Sequence, residues 1–167
     1  ARVAANNSDY RAAADWFTRA LVSDPKNPEL LEGAILANIG LGEVEPAATL
    51  ARALEGLGED LGVTSEVGHL SLLTEAILAD DFDAALKRSA VGAKSGALLD
   101  SLLQAWSQVG LGQMSAATET LDKVAKTKGT EAFGLYHKAL ALAAAGAVDR
   151  RGEGRGDGYA RAARALR

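Results

Sequence analysis

The chain has 167 residues, a net charge of −4, 48% apolar and 24% charged side chains, and no cysteine. This is the balance of one folded domain of ordinary size. It excludes disulfides, thiolate metal sites and cysteine nucleophiles, argues against a nucleic-acid binder, which needs a continuous basic face, and offers no apolar run of the roughly 18 residues that insert into a membrane.

In chain order, the pattern predicts helices over 1–6, 8–23, 28–40, 43–57, 65–79, 81–93, 96–109, 113–127, 131–145 and 157–166. The sequence starts at Ala1 without a methionine or a signal peptide, and we read it as a processed product or an excised fragment beginning inside a helical hairpin. An end of that kind exposes apolar surface around Val3 and favours self-association. Asn27 is placed to cap a helix starting at Pro28, with Glu29 and Glu32 near its positive end. Thr130 followed by Glu131 reads as a second cap. Gly40–Gly42, Gly110–Gly112 and Gly146 read as helix stops. Residues 55–66 are expected to be the longest ordered loop.

An internal repeat runs through these elements. Turn residues recur as Ser8, Gly42, Asp80, Gly112 and Gly146, at spacings of 34, 38, 32 and 34. Five residues after the first four turns stands an alanine: Ala13, Ala47, Ala85, Ala117. Four further on are Phe17, Ala51, Ser89 and Leu121, and three beyond those Ala20, Leu54, Gly92 and Val124. Seven residues ahead of the last four turns lie Ile35, Leu73, Ala105 and Ala139. Small residues at these points let antiparallel helices approach to roughly 8–10 Å. No such hairpin buries its apolar face alone, so neighbours must stack.

Ala13, Phe17, Ala20 and Pro25, within SDYRAAADWFTRALVSDP, resemble the small, aromatic, small and proline positions of the tetratricopeptide repeat family. The resemblance covers about residues 1–146. Later repeats depart from it: none keeps the closing proline, and Ser89 and Gly92 replace larger and smaller apolar residues. It implies an all-α, right-handed α-solenoid of about four helical hairpins plus a partial one, spanning 1–148. Asn38 and Gln108 stand where that family usually has a larger packing residue. After Gly146 the pattern fails: Arg150–Gly158 reads as a flexible glycine- and arginine-rich loop, followed by a short basic helix, GYARAARALR. Residues 149–167 carry six arginines against three acids, a local +3 that leaves −7 for the remainder.

Few residues suggest chemistry. His69 and His137 lie 68 positions apart and belong to no metal-type pair; incidental histidines on helical surfaces account for them better than a general base. Asp80, Asp81 and Asp83 lack the alternating oxygens and central glycine of a calcium loop, and read as a turn with acids at a helix start. GLGEVE and GLGQMS lack the last glycine of a dinucleotide loop and follow helices rather than strands. Neither an active site nor a cofactor is implied.

The family resemblance implies a non-catalytic scaffold that binds a peptide or protein segment in a concave groove lined by the first helix of each hairpin. Here the groove would draw on Glu29, Glu32 and Leu36, on Leu70 and Thr74, on Leu102 and Trp106, and on Phe133, Tyr136 and His137. Counting from Gly112 and Gly146 gives Trp106 and Leu140 equivalent places, with Tyr136 and Phe133 on the same stripe. The acidic end, Glu29 and Glu32, favours a basic ligand. The resemblance and the alanine, glycine and arginine bias suggest a bacterial source, and family analogy favours the periplasm over the cytoplasm. The alternative is a regulatory or substrate-presenting domain of a larger enzyme.

Overall fold

A computed structural model describes residues 8–61, 65–91 and 96–150. The expected helices at 1–6 and 157–166 and the loop from Arg151 onward lie outside them. The described residues form eight helices and no strand: α1 Tyr10–Ser23, α2 Pro28–Leu41, α3 Val44–Leu61, α4 Glu66–Leu78, α5 Phe82–Val91, α6 Ala97–Gly110, α7 Met114–Lys126 and α8 Glu131–Arg150. They divide into two compact units, 1–75 and 76–167, with the division inside α4.

In the first unit α1 packs on α2 and α2 on α3. Its core joins Leu31 and Ile35 of α2 to Ala47, Ala48, Ala51 and Leu54 of α3 and Leu72 of α4. A second cluster joins Ala13 and Phe17 of α1 to Ala34 and Ala37 of α2. In the second unit α5, α6, α7 and α8 pack in succession, and α6 also touches α8. Ala105, Val109, Ala117, Leu121 and Ala141 form the core there. The repeated alanines Ala13, Ala47, Ala85 and Ala117 are all fully buried, as expected of positions where two helices press together.

Three of the recurring turns share one backbone geometry. Gly42, Asp80 and Gly112 all have left-handed φ, of 76°, 59° and 73°. In each, the turn residue's N–H bonds to the carbonyl three residues back (Ile39, Ile77, Val109). The next residue's N–H bonds to the carbonyl five back: Glu43 to Asn38, Asp81 to Ala76, Gln113 to Gln108. This double closure satisfies carbonyls that a helix end leaves bare. Two close packings repeat with it. A Cβ on Gly40 would lie 2.5 Å from the Tyr10 ring, and one on Gly110 would lie 2.4 Å from the Phe82 ring. Tyr10 and Phe82 each follow their turn by two residues, and Gly40 and Gly110 each precede the next turn by two.

Four of the described helix starts are capped by side chains. Asp9 Oδ1 accepts from the Ala12 N–H, Asn27 Oδ1 from those of Glu29 and Leu30, Ser65 Oγ from that of Gly68 and Asp81 Oδ1 from that of Ala84. Thr130 differs from expectation. Its hydroxyl donates backward to the Val124 and Thr127 carbonyls, so it closes the end of α7 rather than capping α8.

Two expected breaks are also corrected. Helix α3 continues through Gly56 and Gly58 to Leu61, leaving a shorter connection than 55–66, because Leu54 and Leu57 keep helical spacing into the core. Helix α8 runs through Gly146 to Arg150. With that turn absent the register shifts: Ala139 is exposed, and Ala141 takes the buried place. Asn38 and Gln108 find their reason here. Asn38 Nδ2 donates to the Ala34 carbonyl at 2.7 Å, and Gln108 Oε1 accepts from the Thr120 hydroxyl at 3.0 Å, so both buried amides are satisfied.

Candidate functional site

The groove residues of the first unit separate into two groups. Glu29 lies in the first turn of α2, whose N–H groups Asn27 caps, and Glu32 follows one turn later. Leu36 projects outward, 51% exposed, because Leu31, Ala34, Ile35 and Asn38 take the inner side of α2. Leu70 and Thr74 sit on α4 and line a small cleft of about 80 Å³ together with Ile39, Val44, Ala47 and Ser71. Its polar side chains are turned away. The Thr74 hydroxyl donates to the Leu70 carbonyl and the Ser71 hydroxyl to that of Val67, both at 2.8 Å. The wall facing solvent is therefore mostly methyl and methylene. The Arg52 and Glu75 side chains tie α3 to α4 through an ion pair of 2.6 Å.

Glu29, Glu32 and Leu36 do not line this cleft, and Ile39, Val44, Ala47 and Ser71 are additions to the residues read from sequence. Ile39 had a usable signal: it lies one helical turn after Leu36, on the same outward side of α2.

In the second unit three rings meet. The Trp106 indole N–H, from α6, donates to Nδ1 of His137, on α8, at 3.0 Å. The two rings are edge to face, with centroids 6.1 Å apart. Tyr136 meets His137 edge to face at 5.4 Å. An indole N–H only donates, so Nδ1 is the acceptor and the neutral imidazole carries its proton on Nε2. Leu102 and Trp106 pack against the core of the unit, whereas Phe133 and Tyr136 are 51% and 62% exposed. The partner of Trp106 on α8 is thus His137. The equivalence of Trp106 with Leu140 fails because it was counted from Gly146, which lies inside the helix.

The remaining titratable groups have local tasks. His69 is buried rather than on a helical surface. Asp80 forms the left-handed turn, Asp81 caps α5, and Asp83 pairs with Lys87 one turn on. The Asp83 carboxylate, by hydrogen bond and by charge, holds the Lys87 ammonium above the usual lysine range. Among the described residues no three histidine, aspartate or glutamate side chains converge in a way that could hold a metal ion, and no helix is long and apolar enough to cross a membrane.

The geometry offers apolar and aromatic contact surfaces, one in each unit. No family model matches the chain, and no curated protein or solved structure shows significant similarity to it.

Proposed function

We propose that this chain is a non-catalytic protein-interaction scaffold, a solenoid of tetratricopeptide-like hairpins that holds a protein or peptide segment against its first helices. The observation that carries this reading is the apolar cleft between α2, α3 and α4. Ligand and cofactor pockets run to roughly 300–1,000 Å³, and a cleft of about 80 Å³ is far below that. It suits one aliphatic side chain inserted from a larger partner, with Leu36 and Ile39 exposed beside it as further apolar contacts. The repeated turn geometry, the buried alanines and the packing of consecutive helices support the hairpin-repeat reading. Glu29 and Glu32 on α2 favour basic residues flanking the inserted side chain.

The test uses the full chain as bait, beside Thr74→Glu and Ile39→Glu variants that place a charge at the mouth of the cleft. A protein captured by the unsubstituted chain is identified, and its binding segment is synthesised. The segment should bind the unsubstituted chain at least tenfold more tightly than either variant, while all three show the same helix content by circular dichroism. Equal affinity for all three would overturn the reading.

A further inference from the structure

Helix α8 is apolar on nearly every side. Its inner side is settled by packing: a Cβ on Gly134 would meet the Ala125 backbone at 2.3 Å, Ala141 is fully buried, and Lys138 reaches Asp122 on α7 at 2.7 Å. At 100° per residue, the opposite side carries Ala132, Leu135, Tyr136, Ala139, Leu142 and Ala143. All six are exposed, with Leu135 at 61% and Leu142 at 51%. Not one is charged. A helix that is apolar all round belongs in an interior, and an unbroken apolar stripe of this length marks a contact surface.

We propose that this stripe is covered by the chain's own segment Tyr159–Leu166. Three properties of the sequence argue for that occupant. First, Tyr159, Ala162, Ala163 and Leu166 recur at i, i+3, i+4 and i+7, the spacing of one helical face, with Arg161 and Arg164 on the opposite one. Second, the sizes match. Ala139 and Ala143 on α8 are small, as are Ala162 and Ala163 of the segment, and small residues let two helices approach closely. Third, the reach is sufficient. Returning from Arg150 to the level of Ala143 takes about 10 Å at 1.5 Å per residue, and the eight residues 151–158 span up to about 26 Å. A tethered segment also acts at an effective concentration of roughly millimolar, which a second copy does not match in dilute solution. The arginines then face water, and the apolar end of the unit gains a charged outer surface. This inference does not depend on the scaffold reading above.

The absence of native cysteine makes disulfide mapping direct. Leu135→Cys and Leu142→Cys are each combined, in the full chain, with Ala163→Cys, or with Arg164→Cys as the control on the opposite face. Under mild oxidation at low micromolar concentration, one of the Ala163 pairs should close an intramolecular disulfide at least tenfold faster than its Arg164 counterpart. Equal rates for the two tail positions, or no closure with either, would show that the segment does not seat on the stripe. Disulfide-linked dimers in place of intramolecular closure would assign the stripe to a second copy. Both results overturn the proposal. In a second measurement, full-length Tyr159→Glu/Leu166→Glu should uncover the stripe and self-associate at concentrations where the unsubstituted chain sediments as a monomer; an unchanged profile counts against it.

Discussion

The indole N–H of Trp106 and Nδ1 of His137, 31 positions apart in sequence, form a 3.0 Å hydrogen bond that ties α6 to α8. Both residues are half-buried, so removing the acceptor leaves a donor poorly compensated. His137→Ala should cost about 1–3 kcal/mol, read as a lower urea midpoint at unchanged slope. Trp106→Phe in the His137→Ala background should cost less than Trp106→Phe alone. Strict additivity of the two substitutions in a double-mutant cycle would mean that the bond contributes nothing.

Gly110 and Gly56 make opposite predictions for the same substitution. Alanine at Gly110 drives a methyl into the Phe82 ring near its attachment point, where the ring has little freedom to move. Overpacking of this kind costs about 1–3 kcal/mol. Nothing lies within 4 Å of a Cβ on Gly56, which sits inside α3, so Gly56→Ala should stabilise by up to about 1 kcal/mol through helix propensity. Thermal melts of the two variants should move in opposite directions.

The left-handed turn at Gly112 resists substitution through its backbone. Its φ of 73° penalises any side chain, and Gly112→Ala should lose about 1–2 kcal/mol. Gly112→Asn should lose less, because asparagine tolerates this region. Asp80, at a φ of 59° in the equivalent closure, shows that an acidic residue is accommodated there. Equal losses for alanine and asparagine in chemical denaturation would argue against the left-handed closure.

Tyr136 tests how α8 is turned about its axis. Its ring is mostly in solvent, so Tyr136→Ala should change the melting temperature very little. A drop of several degrees would place Tyr136 in the core.

The all-helical fold was legible because its punctuation is local. Glycine or a short polar residue at Ser8, Gly42, Asp80 and Gly112 is what a positive φ demands, and those are the four recurring turn positions that have it. Gly146 carries the same letter but not the same role. Whether a glycine ends a helix depends on what the following residues pack against, and that information is tertiary. Likewise Gly56 and Gly58 are overridden by Leu54 and Leu57. In the candidate site, Leu70 and Thr74 were found from repeat position, but the cleft they share with Val44 and Ala47 depends on how three helices cross. Trp106, Tyr136 and His137 were grouped on one groove from sequence, but the bond between Trp106 and His137 needs the rotation of α8 about its own axis, which the misplaced turn had set wrongly.

The two tryptophans fall one to each unit. Trp16 lies within 1–75, largely in water with the Arg19 guanidinium 5.3 Å from its ring centre. Trp106 lies within 76–167, half-buried and hydrogen-bonded to an imidazole. Their emission should therefore differ in colour, with Trp16 to the red and Trp106 to the blue, and Trp16→Phe and Trp106→Phe variants isolate each signal. The chain thus carries its own pair of optical probes. Superimposable unfolding curves from the two would make the units one cooperative system, and separate midpoints would make them independent ones.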